Sequence, residues 1–145
     1  MKTNVAIKPP VWYWVVSGFA FLWNLLGVLA YLGEAFKADA DIAALPESQR
    51  LLYEAQPSWF TGAFAIAVWA GIVGCLALLL RKKWARPILL ISLIGIVVQM
   101  SYLFFMSDTF AVLGDMAMIM PIAIILVGLA LVFFADKANK NNWLT

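Results

Sequence analysis

The chain has 145 residues, of which 65% are hydrophobic and 12% are charged, and its formal net charge is +2. Soluble domains carry roughly 25% charged residues, so this excess of apolar side chains would cover a soluble surface and cause aggregation. The small net charge, with no basic stripe along the chain, argues against a nucleic-acid partner. The composition therefore predicts a protein whose main partner is a lipid bilayer.

Four long apolar runs follow one another along the chain, at residues 11–32, 59–80, 87–106 and 116–134. As a helix, each run is about 30 Å long, which matches the hydrocarbon core of a bilayer. Helices satisfy their backbone hydrogen bonds within one segment, and the runs lack the alternation that is typical of barrel strands. We therefore predict an all-α integral membrane four-helix bundle, with residues 1–145 forming a single transmembrane domain.

Basic residues cluster on one side of the predicted bundle. Only Lys37 and Arg50 lie between the first and second runs, whereas the other basic residues lie at the opposite helix ends: Lys2, Lys8, Arg81, Lys82, Lys83, Arg86, Lys137 and Lys140. Short loops rich in lysine and arginine stay in the cytoplasm. The distribution predicts a multi-pass protein with both termini in the cytoplasm.

The segment 33–57, between the first two predicted helices, is the longest polar stretch. Its alanine-rich part at 38–44 favours a helix, and Pro46 followed by Glu47 suits the start of a second short helix. We predict a partly helical outer loop. Two placements remain open, one over the outer mouth of the bundle or along the lipid headgroups, and one as a solvated connector.

The residues that most enzymes need are scarce. The chain has no histidine and one cysteine, Cys75, which lies inside an apolar run. No ionisable side chain lies deep within a run, which argues against a proton relay at the membrane midplane. Nucleotide-binding, nucleophile-elbow and zinc-binding motifs are missing from the sequence. We expect no enzymatic activity, no catalytic residue, no cofactor and no metal site.

Two amides interrupt the apolar runs at similar depth. Asn24 lies about 20 Å and Gln99 about 17 Å from the cytoplasmic ends of their helices, and Trp69 lies near the middle of the second run. We predict that Asn24, Trp69 and Gln99 converge on a solute-binding site, with Glu34 and Tyr102 at its outer mouth. The alternative is that the amides only tie helices together, which contributes about 0.6 kcal/mol per contact.

Small residues recur every four positions in the second run, at Ala63, Ala67 and Gly71. This spacing lets two helix backbones approach closely, so we predict a helix-packing face. The pattern leaves open whether the partner helix belongs to the same chain. Because four helices are few to enclose a solute path, we favour a homo-oligomer.

Aromatic residues stand where the runs meet water, at Trp12, Tyr13, Trp14, Trp59, Trp84 and Trp143. Amphipathic rings prefer the membrane interface. We interpret these side chains as membrane anchors.

Six short stretches carry a resemblance to a known family: KPPVW at 8–12, WNLLGV at 23–28, ALPE at 44–47, PSW at 57–59, LRKKWA at 80–85 and MIMP at 118–121. With these stretches, nearly the whole chain resembles a family of small four-helix bacterial inner-membrane proteins. Members are often labelled sugar transporters, a label that names no mechanism. The resemblance implies a location in the bacterial inner membrane.

The sequence supports two functional hypotheses. In the first, a transporter-like protein binds or passes a neutral or weakly polar solute near Asn24, Trp69 and Gln99. In the second, the chain is a non-catalytic accessory subunit that packs against a membrane partner protein through the small-residue face of its second helix. A membrane enzyme acting on lipid or quinone is disfavoured because catalytic groups are missing.

Overall fold

The computed structural model describes residues 7–145, so Lys2 lies outside the described range. Within that range the chain is helical and has no strand. Four helical segments are long and apolar enough to cross a membrane. Their α-helices are α1 (Val11–Ala35), α4 (Ser58–Leu79), α5 (Ala85–Ser101) and α7 (Ile119–Lys140). The prediction of an all-α protein with four such helices is confirmed.

Shorter elements connect the long helices. Between α1 and α4 lie α2 (Asp39–Ala43) and α3 (Glu47–Ala55), so this connection is partly helical. A π-helical turn (Tyr102–Met106) extends α5, and α6 (Thr109–Leu113) follows it. A 3-10 turn (Asp115–Met118) leads into α7. Both α1 and α7 continue beyond the apolar runs, because backbone hydrogen bonding continues where the side chains become polar.

Prolines set the start of several helices. Pro10, Pro46 and Pro57 stand directly before α1, α3 and α4. Proline has a fixed φ and no N–H, and the first turn of a helix has no intrahelical acceptor for its N–H groups. Pro87 and Pro121 likewise fall in the first turns of α5 and α7. These prolines therefore leave the hydrogen bonds of the long helices intact.

The long helices pack in the order α1, α4, α5, α7. The backbones of α1 and α7 hardly approach each other along most of their length. We call the end of the bundle with Pro10, the 80–84 connection and Lys140 the termini end, and the end with α2, α3 and α6 the loop end.

A buried core closes the termini end. Tyr13 and Leu78 are fully buried, and the Tyr13 hydroxyl donates a hydrogen bond to the Leu78 carbonyl. The Tyr13 ring stacks on Phe134 at 5.4 Å and meets Trp143 edge-on at 5.8 Å. Tyr13 and Trp143 are thus core residues rather than the membrane anchors that their positions in the sequence suggested. The buried hydroxyl is satisfied by a backbone acceptor, which makes this burial favourable.

Arg81 joins three separate segments at the termini end. Its backbone has a φ of 56°, and its Nε donates to the Trp143 carbonyl at 2.8 Å. Its Nη2 donates to the Ile7 carbonyl at 2.9 Å. The Thr145 N–H in turn donates to the Arg81 carbonyl at 2.7 Å. The segment 143–145 is therefore held against the connection between α4 and α5.

The small-residue face of α4 packs against α5 of the same chain. Ala63, Ala67 and Gly71 are all buried. A Cβ placed on Gly95 of α5 would lie 2.9 Å from the Ala67 nitrogen and 3.0 Å from the Ala63 oxygen. The two backbones therefore approach closely because both helices carry small residues at the crossing.

Candidate functional site

A cavity of about 370 Å³ opens at the loop end of the bundle. We call it the loop-end cavity. It lies between α1, α3, α4 and α5, and its rim residues are exposed. Its lining residues are Tyr31, Glu34, Ala35, Tyr53, Gln56, Phe60, Thr61, Phe64, Gln99 and Leu103.

Several polar side chains of the loop-end cavity are available to a ligand. The side chains of Tyr31, Gln56, Thr61 and Gln99 form no hydrogen bond with any of residues 7–145. Glu34 is the only charged residue among the lining residues, and it pairs with Lys37 at 3.4 Å. The cavity therefore offers neutral donors and acceptors rather than an unpaired charge.

One wall of the loop-end cavity comes from the connection between α1 and α4. The Tyr53 hydroxyl of α3 donates to the Glu34 carbonyl at 3.2 Å. The Lys37 ammonium lies 5.4 Å from the centre of the Tyr53 ring, within the range of a cation–π contact. The sequence left open whether this connection lies over the mouth of the bundle or is a solvated connector. In the structure, α3 lies against the mouth.

Tyr102 supports the mouth without lining it. Its side chain is buried, and its ring packs against Phe60 at 4.8 Å and Trp59 at 5.5 Å. Its hydroxyl donates to the Ala55 carbonyl at 3.4 Å, which attaches the end of α3 to the π-helical turn. Of the two residues predicted at the mouth, Glu34 lines the cavity and Tyr102 lies behind its wall.

A second cavity of about 240 Å³ lies deeper in the bundle, between α1, α4, α5 and α7. We call it the mid-bundle cavity. Most of its lining is apolar, and Asn24, Gln99 and the indole of Trp23 supply its polar groups. Its lining residues are Trp23, Asn24, Leu26, Gly27, Ala30, Phe64, Ala67, Val68, Ile96, Gln99, Met120 and Ile124.

Gln99 and Phe64 line both cavities, so the two cavities adjoin at these side chains, a position that we call the junction. Gln99 is only 7% exposed, yet its carboxamide has no hydrogen-bond partner among residues 7–145. Its amide atoms retain some access to the cavities, since Ser17 Oγ is the only fully enclosed side-chain polar atom without a partner among residues 7–145. A ligand or water molecule at the junction would supply the missing hydrogen bonds.

The Asn24 side chain, unlike that of Gln99, has hydrogen-bond partners within the bundle. Its Nδ2 donates to the Ala20 carbonyl at 2.9 Å and lies 3.2 Å from the Cys75 sulfur. Its amide oxygen lies over Gly71, beside the Ser92 hydroxyl. The side chain therefore ties α1 to α4 while also lining the mid-bundle cavity.

The cavities end before the termini end. A small void of about 20 Å³ lies beside Asn24 and Ser92 and extends to Leu131. It is large enough for about one water molecule. Beyond it, Leu89 and Leu131 belong to the buried core that includes Tyr13 and Trp143. The cavities are therefore closed toward the termini end, and the loop-end cavity opens at the opposite end of the bundle.

The structure brings Asn24 and Gln99 to one cavity but leaves Trp69 outside it. Trp69 is 45% exposed, and its ring meets Tyr31 edge-on at 6.4 Å on the outer surface of the bundle. It follows Ala67 by two residues, which is about 200° around a helix. Because Ala67 faces α5, Trp69 faces away from the bundle interior.

Sequence reasoning missed several lining residues, including Tyr31, Gln56 and Thr61. The signal for Tyr31 is present in the sequence, since Asn24, Gly27, Tyr31 and Glu34 follow one another at spacings of three and four. This spacing places them on one face of a helix. No comparable pattern identifies Gln56, which reaches the cavity from a connecting segment.

No protein-family model, curated protein or solved structure matches this chain. Among residues 7–145, no group of three or more His, Cys, Asp or Glu side chains is arranged to hold a metal ion. The function is therefore inferred from the cavities and from the side chains that line them.

Proposed function

We propose that this chain is a membrane protein that binds a neutral or weakly polar solute at the junction of its two cavities and passes it across the bacterial inner membrane. The observation that carries the proposal is Gln99, a residue that is only 7% exposed, whose carboxamide lines both cavities and has no partner among residues 7–145. Buried polar groups are normally paired. A bound solute with a hydroxyl or carbonyl group would pair this one.

The charges at the site support a neutral solute. Glu34, the charged residue of the loop-end cavity, pairs with Lys37, and the mid-bundle cavity has no charged lining residue. A charged solute would lose its hydration there without gaining an opposite charge, which is costly. A neutral solute meets the amides and hydroxyls of Gln56, Thr61 and Gln99 instead.

The distribution of basic residues supports a direction of access. With both termini in the cytoplasm, the loop-end cavity opens to the outer side of the membrane. The Tyr13, Phe134 and Trp143 cluster then closes the cytoplasmic side. We propose that this conformation accepts solute from outside, and that passage requires the aromatic cluster to separate.

The accessory-subunit hypothesis has less support. Its docking face was the series Ala63, Ala67 and Gly71, which is buried within the chain, with Ala63 and Ala67 against Gly95. Assembly is a separate question, because both cavities form within one chain. Solute binding at Gln99 therefore does not require a homo-oligomer, although one remains compatible with it.

Reconstitution into liposomes tests the proposal. The uptake of uncharged solutes, such as glycerol, hexoses and short-chain alcohols, is measured for the natural chain, for Gln99→Leu and for the control Val98→Leu. Val98 neighbours Gln99 on α5, is exposed and lines neither cavity. We expect uptake of at least one uncharged solute above that of empty liposomes, reduced about five- to tenfold by Gln99→Leu through loss of a hydrogen bond, and unchanged by Val98→Leu.

Two results would contradict the proposal. One is that the natural chain neither binds nor passes any uncharged solute. The other is that Gln99→Leu behaves like the natural chain while solute is still taken up, which would place the path elsewhere.

A further inference from the structure

We infer that the solute is an uncharged amphiphile with one apolar chain, and that it enters from the lipid through the gap between α1 and α7. Its polar head would lie in the loop-end cavity and its chain in the mid-bundle cavity. This inference rests on the proposed function, because it assigns a substrate class to the same junction at Gln99.

The first support is the difference in polarity between the two adjacent cavities. The loop-end cavity presents unpaired hydrogen-bonding side chains at Gln56, Thr61 and Gln99. In the mid-bundle cavity most of the lining is apolar, and the Nδ2 of Asn24 is already engaged with Ala20 and Cys75. A fully hydroxylated solute, such as a sugar, would leave most of its hydroxyls unpaired in that space. An amphiphile matches the polar lining of the loop-end cavity and the apolar lining of the mid-bundle cavity.

The second support is a side opening. The mid-bundle cavity is bounded by Leu26 on α1 and Met120 on α7, and these lining residues are 65% and 58% exposed. The backbones of these two helices hardly approach each other. In a bilayer, surface exposed on these helices faces acyl chains. The cavity is therefore continuous with lipid, and a chain can enter sideways without crossing water.

The third support is the order of the cavities along the bundle. The polar cavity lies at the end of the helices, at the level of Glu34 and Gln56, and the apolar cavity lies toward the middle, at the level of Asn24. A lipid in the leaflet at the loop end has the same order, with its head at the interface and its chain toward the midplane. It can therefore move into the bundle without inverting.

The charge of the lining residues and the volume of the mid-bundle cavity narrow the class of amphiphile. Glu34 is paired with Lys37 at the mouth, so the pair gives the loop-end cavity no net charge to attract a charged headgroup. The mid-bundle cavity, at about 240 Å³, is smaller than the roughly 300–1,000 Å³ of sites that enclose whole drug-sized ligands. Its volume suits a segment of one acyl chain, with the remainder of that acyl chain extending into lipid.

Photocrosslinking in lipid nanodiscs tests the inference. The probe is a monoacylglycerol with a diazirine near the end of its acyl chain, competed with unlabelled monoacylglycerol or with glycerol. Labelled peptides are mapped by mass spectrometry for the natural chain, for Ala30→Phe and for Leu29→Phe. Ala30 lines the mid-bundle cavity, whereas its neighbour Leu29 is exposed and lines neither of the two cavities.

We expect saturable labelling of α1 and α7 near the gap, competed by monoacylglycerol and not by glycerol. Ala30→Phe fills the space for the chain and should weaken labelling by about tenfold, the contribution of roughly two buried methylenes. Leu29→Phe should leave the labelling unchanged.

Binding of glycerol or hexose at Gln99, unaffected by Ala30→Phe and without saturable labelling, would overturn the amphiphile inference and leave the proposed function standing. Failure of every uncharged probe to bind would overturn both.

Discussion

The amide oxygen of Asn24 on α1 lies directly over Gly71 on α4, in the space that a side chain at residue 71 would need. The same asparagine donates to its own helix and contacts Cys75. Gly71 therefore allows a polar side chain to cross between two apolar helices. This contact is one of several that hold α1 on α4, with the hydrogen bond from Tyr13 to the Leu78 carbonyl at the termini end.

Gly71→Ala should destabilise the bundle by about 1–3 kcal/mol, because the added methyl overlaps the Asn24 amide and forces it to move. Thermal unfolding in detergent measures the loss. Gly62→Ala is the matched control on the same helix, since a Cβ there meets no atom within 4 Å. Adding Asn24→Ala to Gly71→Ala should recover part of the loss, and strictly additive effects would show that the two residues do not interact.

Two buried serines should respond differently to replacement by alanine. The Ser92 hydroxyl donates to the Ala67 carbonyl at 2.6 Å, whereas the Ser17 oxygen has no partner among residues 7–145. We expect Ser92→Ala to cost about 0.6 kcal/mol or somewhat more. Ser17→Ala should change the stability less than Ser92→Ala, because the Ser17 hydroxyl has only a weak contact with the Tyr13 hydroxyl to lose. Equal losses of stability in unfolding assays would contradict this assignment.

Arg81→Ala should loosen the termini end, because it removes the hydrogen bonds to the Trp143 and Ile7 carbonyls. Hydrogen bonds from a charged group contribute about 1.5–3 kcal/mol each when buried and less when exposed. We expect a lower unfolding temperature and faster proteolysis after residue 140. Lys82→Ala is the control, since Lys82 is an exposed neighbour without a side-chain hydrogen bond to residues 7–145. Equal protease sensitivity of the two variants would exclude this role for Arg81.

The proposed orientation predicts which new cysteines react in intact cells. Ser48→Cys in α3 should react with a membrane-impermeant maleimide from outside, and Asn141→Cys should react only after permeabilisation. Both positions are exposed, and the native Cys75 is fully buried, so the background should be low. The opposite labelling pattern would reverse the orientation and with it the side from which solute enters.

The number and approximate position of the long helices could be predicted because a bilayer demands about 20 apolar residues per span. The depth of Asn24 and Gln99 could be predicted for the same reason, since helical rise converts sequence position into height. The facing direction of Trp69 follows from the small-residue face of the same helix, about 200° from Ala67, but not from the polarity pattern. In a helix that is apolar all round, no stripe of polar residues marks which side is buried.

The lining of the loop-end cavity depends on tertiary contacts that local pattern does not encode. Gln56 and Tyr53 reach the cavity because α3 lies against the end of α1, where Tyr53 bonds to the Glu34 carbonyl. The burial of Tyr13 has a similar origin. An aromatic residue at a helix entry normally anchors at the interface, but here α7 and the segment 143–145 cover it.

The packing order of the helices has a mechanical consequence. Most of α1 packs on α4 and most of α7 packs on α5, while α1 and α7 meet through Tyr13 and Phe134. Their far halves can swing apart about this contact as a pivot while the α4 and α5 interface stays intact. Such a movement would change the width of the gap between α1 and α7 without changing the packing of α4 on α5.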